Sequence, residues 1–200
     1  MGRSMSYENY IRIQTKVHGQ IKKPHKYRVG ERAAINYFFY NVQKDKCILD
    51  VGCGVGTGIK HLRDTGYKNV MGIDLSTDKT AFGTRRGDVN IVAADIAKWK
   101  TDKKFDVFWV SHSFEHVYEP EKAIGNMIRM SNPNAQFFFI LPYPDTGVAS
   151  AHCASADLGL YVEDDGASVV EWFENGGLTL IEKKFDDFRE QEIWLRFIND

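Results

Sequence analysis

The chain reads as an α/β protein built on a mostly parallel sheet, and three observations predict it. Apolar runs of strand length alternate with stretches of helical period. Three successive runs finish in an acid, at Asp50, Asp74 and Asp95, which sets three carboxylates at one edge of a sheet. The chain then closes on two apolar segments, 178–184 and 192–198, joined by a charged turn, the pattern of an antiparallel hairpin.

In chain order, the first predicted element is a helix over 27–42, with Ala33, Ala34, Tyr37, Phe38 and Asn41 on one face. The basic loop 22–28 before it (Lys22, Lys23, His25, Lys26, Arg28) is either a solvated surface or a lid over an anionic substrate.

Residues 47–58 organise the rest. A short apolar run ends in Asp50, glycine recurs at 52, 54, 56 and 58, and Ile59 and Leu62 follow at helical spacing: strand, tight turn, helix. Without a Cβ, glycine takes positive φ and lets backbone approach a ligand. The free amides at the start of the helix are ready to meet polar ligand atoms. A dinucleotide fold asks for Gly-x-Gly-x-x-Gly. Counted from Gly52 the third position is Thr57, and from Gly54 it is Ile59, so both registers fail.

What remains, Asp-x-Gly-x-Gly-x-Gly at Asp50, Gly52, Gly54 and Gly56, resembles the first motif of the class I S-adenosylmethionine-dependent methyltransferases of small-molecule type. The resemblance implies a Rossmann-like, seven-stranded, mostly parallel sheet with a C-terminal antiparallel hairpin and helices on both faces. It implies a methyltransferase domain over 45–200, preceded by an N-terminal segment, 1–44, that carries a cap or lid helix. S-adenosylmethionine is the implied cofactor. Gly52, Cys53, Gly54 and Gly56 would admit its methionine part, with Asp50 setting the turn. Asp74, followed by Leu75, would hold the ribose. Asp95 would meet the adenine amino group and the Ile96 amide a ring nitrogen.

Asp74 stands 20 residues beyond Gly54, at the end of the second strand, where a carboxylate can accept hydrogen bonds from both ribose hydroxyls. The bland alternative for Asp74 is a cap on a helix beginning near Ser76, and for Asp95 a cap on 97–99.

The fourth strand, 105–111, ends at Ser111, which the resemblance places among the cofactor contacts. His112-Ser113-Phe114-Glu115-His116-Val117 follows, then Pro120 at a helix start. Read literally, His112 to His116 fits the inverted zinc-peptidase pattern, which needs a helix that this strand-to-proline stretch does not offer. It resembles instead the segment that lines the methionine end of the cofactor and the substrate pocket. His112 is the candidate general base because its neutral imidazole can take a proton near pH 7; His116 is the second candidate. No metal is assigned.

Asn132-Pro133-Asn134 reads as a turn, and 136–141, with three consecutive phenylalanines, as a strand buried on both faces. Tyr143, Asp145 and His152 in the long loop that follows are candidate substrate contacts, and 164–175 is an amphipathic helix ended by Gly176 and Gly177.

Composition sets the outer bounds. The 200 residues, 43% hydrophobic and 26% charged, fit one soluble domain. A net charge of −1 gives no global basic field for nucleic acid or an anionic membrane. No apolar run approaches the roughly 20 residues that cross a bilayer. Three cysteines without metal spacing point to reduced thiols and a cytoplasmic location. The expected activity is methyl transfer to an oxygen or nitrogen of a small molecule. The alternatives are a non-catalytic S-adenosylmethionine or nucleotide binder of the same fold and an NAD-dependent oxidoreductase.

Overall fold

A computed structural model describes residues 6–19, 29–75, 90–142, 166–186 and 192–199. Expectations for the basic loop 22–28, the helix after Ser76, and Tyr143, Asp145 and His152 lie outside the described residues.

The described helices are α1 (Tyr7–Gly19), α2 (Val29–Phe38), α3 (Thr57–Asp64), α4 (Pro120–Arg129) and α5 (Ala167–Asn175). The strands are β1 (Ile48–Val51), β2 (Val70–Asp74), β3 (Ile91–Ala93), β4 (Phe105–Ser111), β5 (Ser131–Pro142), β6 (Thr179–Asp186) and β7 (Glu192–Ile198). They form one seven-stranded sheet in the order β3-β2-β1-β4-β5-β7-β6. Pairing is parallel from β3 through β5, and β7 runs antiparallel to both β5 and β6. After β1 the chain builds outward to β2 and β3, then returns to lay β4 on the other side. The carboxyl ends of β1 and β4 therefore flank the switch point where α/β sheets bind ligands.

Side-chain alternation sends each strand's residues to opposite faces. One face packs Ile48, Val107, Trp109, Phe138 and Trp194 against Ala34, Ile35 and Phe38 of α2 and Ile59 and Leu62 of α3. The other packs Leu49, Met71, Phe108, Phe137 and Phe139 against Ala123 and Met127 of α4 and Val169 and Phe173 of α5. The three phenylalanines are thus core on alternating sides. Phe137 stacks on Phe108 at 4.7 Å, Phe138 on Phe38 at 4.8 Å, and Phe139 lies 4.2 Å from Phe173.

Three local readings are corrected. The helix predicted to run to residue 42 stops at Phe38 and tightens into a single 3-10 turn, Phe39–Asn41. Its inward residues are Ala34, Ile35, Phe38, Phe39 and Val42, while Tyr37 is 43% exposed and Asn41 is at the surface. Aromatic residues fill every side of 37–40, so period alone could not choose between them. The surface formed by Trp109 and Phe138 takes Phe39 instead. Tyr37 turns outward and donates its hydroxyl to Glu182.

The Asn-Pro-Asn turn lies inside β5 as an irregularity. Asn134 has φ 58°, and pairing with β4 jumps from Phe105↔Ser131 to Val107↔Gln136. Asp106 braces it, accepting Asn132 Nδ2 at 3.0 Å on one oxygen and the Cys47 amide at 2.8 Å on the other. The third strand is shorter than the apolar run 90–96, leaving Asp95 two residues past its end. Helix α1 had no sequence forecast; Tyr7, Tyr10 and Gln14 form its inward side, with Tyr10 and Gln14 buried.

Candidate functional site

The glycine turn is tied to the tip of β2. The amides of Gly52 and Cys53 both donate to the Ile73 carbonyl, at 2.8 and 3.1 Å. Gly52, Gly54 and Gly56 have φ of 72°, 52° and 74°, a region that side chains with a Cβ rarely enter. Their surroundings differ. A Cβ on Gly52 would overlap Ser113, whose hydroxyl donates to the Val51 carbonyl at 2.7 Å and so joins the turn to the segment after β4. Among the described residues, a Cβ on Gly54 would meet nothing within 4 Å, so this stretch of backbone is open on their side. The Gly54 amide donates to Asp74 Oδ2 at 2.8 Å, and Gly56 caps the start of α3.

Gly72 belongs to the same arrangement and was not singled out in the sequence. A Cβ there would fall 2.5 Å from Cys53 Sγ and 2.6 Å from Ile59 Cδ1, so its bareness lets the turn lie flat on β2. Its signal was a lone glycine within an apolar strand.

Of the three acids, Asp50 lies one residue before the end of β1, Asp74 ends β2, and Asp95 follows the end of β3 by two residues. Asp50 pairs with Gly72 across β1 and β2, and Asp74 pairs with Ala93 across β2 and β3. Asp50 is 3% exposed. Burial first, then the carboxylates of Glu31 and Asp74, push its carboxyl well above the ordinary range. Burial likewise raises the Cys53 thiol, with Asp50 and Asp74 adding to it, so Cys53 serves as a small apolar residue. Asp50 Oδ2 and Glu31 Oε1 lie 3.0 and 3.2 Å from the point where a Gly58 Cβ would sit, and Trp109 Nε1 lies 3.7 Å from it. Among the described residues this buried indole N–H has no acceptor. Glu31, in the first turn of α2, was missed; one glutamate in a helix carries no sequence signal of a site 27 positions away.

Asp95 is held from two sides. Its Oδ1 accepts the Ala97 amide at 2.9 Å, the capping contact considered above, and its Oδ2 accepts the Tyr7 hydroxyl at 2.7 Å. Burial first and the Asp95 bond second raise the Tyr7 phenol's pKa, so it stays a donor. Tyr7, Tyr10 and Tyr118 form an aromatic cluster with centroids 5.1 to 5.9 Å apart. Leu75 is half-buried just past β2, and Ile96 places its side chain in the core, leaving only main chain for the edge.

Beyond β4 the construction is different. Ser111 ends the strand, and His112 turns off it with φ 48°, anchored by its amide to the Ile140 carbonyl at 2.9 Å. The ring Nε2 bonds Glu192 Oε1, while Glu192 Oε2 accepts Trp194 Nε1 at 2.9 Å. Glu192 is fully buried. Removing a carboxylate from water costs several kcal/mol, so its two partners are what make the position tolerable. No sequence pattern marked Glu192.

His116 sits in the single 3-10 turn Phe114–His116, with Nε2 3.9 Å from Glu115 Oε1. The two histidines thus have different partners. The helix that a zinc-peptidase reading needs is replaced by a left-handed residue and one short turn. Among the described residues, no three of His, Cys, Asp and Glu group as metal ligands. No described helix is long and apolar enough to cross a membrane.

A family model described as a methyltransferase domain matches residues 24–185, most of the chain. The chain belongs to the methyltransferase-domain family. Among curated relatives of this methyltransferase-domain protein, a demethylmenaquinone methyltransferase of Renibacterium salmoninarum is 32% identical over 91 residues, covering 44% of the chain and 38% of the relative. A ubiquinone biosynthesis O-methyltransferase of Coxiella burnetii is 26% identical over 157 residues, covering 70% of the chain and 66% of the relative. The chain therefore spans well under half the length of the first. Among solved structures, a Burkholderia thailandensis 1,6-didemethyltoxoflavin-N1-methyltransferase with bound S-adenosylhomocysteine superposes with a TM-score of 0.75 at 11% identity, covering 100% of this chain and 93% of that one. The N-methyltransferase NodS of Bradyrhizobium japonicum in complex with S-adenosylhomocysteine gives a TM-score of 0.67 at 17% identity, covering 96% and 97%. At such identities these two likenesses concern the fold.

Proposed function

We propose that the chain is an S-adenosylmethionine-dependent methyltransferase acting on a small-molecule oxygen or nitrogen acceptor. The carrying observation is the open Gly54 backbone bonded to Asp74 at the carboxyl edge of β1 and β2. Its residue types fit the cofactor. A bare backbone bend would admit the methionine part, Glu31 and Asp50 would offer carboxyl oxygens to its ammonium, and the Trp109 N–H, which has no acceptor among the described residues, would offer a donor beside them. Asp74 would hold the ribose, with the main chain at Leu75 beside it, and Asp95 with the Ile96 amide would meet the adenine. The cofactor supplies a methyl carbon on cationic sulfur.

Holding the acceptor in line with that carbon is the largest contribution the protein can make, roughly 7–11 kcal/mol in well-oriented systems. Ser111, at the end of β4, would contact the cofactor, and His112 just beyond it would take the acceptor's proton. An oxygen or nitrogen acceptor agrees with the names of an O-methyltransferase relative and two N-methyltransferase structures of the same fold.

The test is calorimetric titration with S-adenosylhomocysteine and with NAD, followed by turnover of S-adenosylmethionine with a metabolite extract as acceptor. The reading expects S-adenosylhomocysteine to bind and turnover to depend on the extract. Tighter binding of NAD would overturn it, and cofactor binding without turnover would favour a non-catalytic binder.

A further inference from the structure

A second cleft, of about 410 Å³, lies on the α2 face of the sheet, away from the glycine turn. Its volume is that of a small-ligand site. The floor is Gln136 of β5, Arg196 of β7 and Glu182 of β6, and the wall is the end of α2 with the turn after it, including Tyr37 and Tyr40. Gln136 opens the regular pairing of β5, and Arg196 comes near the end of the antiparallel β7, so the cleft belongs to the amino half of the sheet. Arg196 is half-buried, with Phe138 and Glu182 as its cross-strand neighbours. Glu182, however, accepts the Tyr37 hydroxyl. Among the described residues the buried Nε of Arg196 has no acceptor, and the ion pairs they form do not include it. The Lys184 ammonium lies 4.3 Å from the centre of the Tyr37 ring, so two cations stand at this corner against one carboxylate. The exposed large apolar side chains among the described residues are Tyr37, Tyr40 and Ile181. Two of them line the cleft, Tyr40 at 85% exposure, and the third precedes Glu182 in β6.

We infer that this cleft is a second ligand site, for a small aromatic monocarboxylate. The two oxygens of a carboxylate match the fork of a guanidinium, and the partial burial of Arg196 shields that bond from water. The charge at the corner selects a monoanion. Arg196 and Lys184 against Glu182 leave one positive charge, which a carboxylate neutralises, whereas a dianion such as phosphate brings a surplus that Glu182 repels. The body of the ligand lies against the rings of Tyr37 and Tyr40, where an aromatic ring gains offset or edge-on contacts that an aliphatic body lacks. A single exposed tyrosine is ordinary. Two of them beside an arginine without a counterion make a set. The inference stands apart from the methyltransferase reading, because Glu31 belongs to the first turn of α2 and Tyr37 to its last.

The experiment is an NMR titration of the whole chain with phenylacetate, cyclohexylacetate and inorganic phosphate, at one pH and one salt concentration. The Arg196 Nε–H signal is assigned by its loss in Arg196→Gln. Phenylacetate should shift that signal and the Tyr40 amide saturably, with a Kd of roughly 5 mM or tighter, the affinity that so small a ligand reaches at ordinary efficiency per atom. Cyclohexylacetate should bind at least about twofold more weakly, and phosphate should give no saturable shift. Arg196→Gln, read on the Tyr40 amide, should weaken phenylacetate at least about tenfold through loss of a charge-assisted bond. Tyr40→Ala, a change at an exposed position, should weaken it at least about threefold and keeps the test decisive even where Arg196→Gln fails to fold. The inference is overturned by phenylacetate that does not saturate, by cyclohexylacetate or phosphate binding as tightly, or by unchanged affinity in a folded variant. Shifts centred on the Gly54 and Ser111 amides would put the acid at the other edge of the sheet and overturn it too. So would Tyr37 and Tyr40 signals that move with protein concentration alone, which would give the cleft to a second copy of the chain.

Discussion

The carboxyl edge of the sheet is built in two ways on either side of the boundary between β1 and β4. On the β1–β3 side, main-chain amides meet carboxylates over short stretches of sequence, Gly54 to Asp74 across 20 positions and Ala97 to Asp95 across two, with the Tyr7 hydroxyl added to Asp95 from α1. On the β4–β7 side the central bond is side chain to side chain and crosses 80 positions, from His112 to Glu192. A site made of backbone needs glycine, and glycine leaves a mark. A buried pair needs only two ordinary residues that happen to meet.

Breaking the first side should cost most. Gly52→Ala adds a Cβ that overlaps Ser113 and holds a side-chain residue at φ 72°. Overpacking of about 1–3 kcal/mol plus left-handed strain of about 1–2 kcal/mol should lower the melting temperature by roughly 4–20 °C. Thermal unfolding checks this, and a change of under about 2 °C would mean that the turn is not fixed against Ser113.

Next comes Asp74→Ala, expected to weaken S-adenosylhomocysteine by about 1.5–3 kcal/mol, roughly 10- to 150-fold, through loss of charge-assisted hydrogen bonds. Calorimetry in one buffer measures it; unchanged affinity would remove the ribose assignment.

On the second side, Trp194→Phe leaves Glu192 Oε2 buried without its donor, a cost of about 1–3 kcal/mol in stability by denaturant unfolding. S-adenosylhomocysteine affinity should not follow. If it fell in parallel, the two halves of the edge would be one coupled unit.

The smallest net change is expected from Asp50→Asn, where the sign is informative. The folded protein holds Asp50's proton more tightly than the unfolded chain does. Above the ordinary carboxylate range the unfolded chain ionises while the folded one resists, so wild-type stability falls as pH rises through the raised folded pKa. The asparagine variant lacks that slope. Its advantage should be absent in acid and grow toward neutral and alkaline pH in melting curves without ligand. An advantage largest in acid would contradict the burial argument.

What the sequence disclosed follows the same division. The sheet was readable because β1, β2, β4 and β5 are covered by helices on both faces and are therefore apolar throughout. In the terminal hairpin β7 was readable for the same reason, while β6 is an edge strand with Ile181 exposed and showed as the partner of β7 across a charged turn. The grouping of Asp50, Asp74 and Asp95 followed from parallel strands ending together. Helix α1 escaped because, among its described side chains, Tyr10 and Gln14 are the buried ones, too sparse a stripe to stand out. The register of α2 was misjudged because aromatic residues surround the helix and only the sheet decides which are covered. Glu31 and Glu192 escaped because a single acid looks the same on a surface and in a core.

Tyr7 has a kinetic consequence. Its hydroxyl already occupies Asp95 Oδ2, and its ring is clasped by Tyr10 and Tyr118. On the cofactor assignment proposed above, the nucleobase would meet an oxygen that the phenol already uses, and the two would share or contest it. Arrival would then be timed by how often α1 loosens, and a Tyr7→Phe chain should take up S-adenosylhomocysteine faster in stopped-flow mixing.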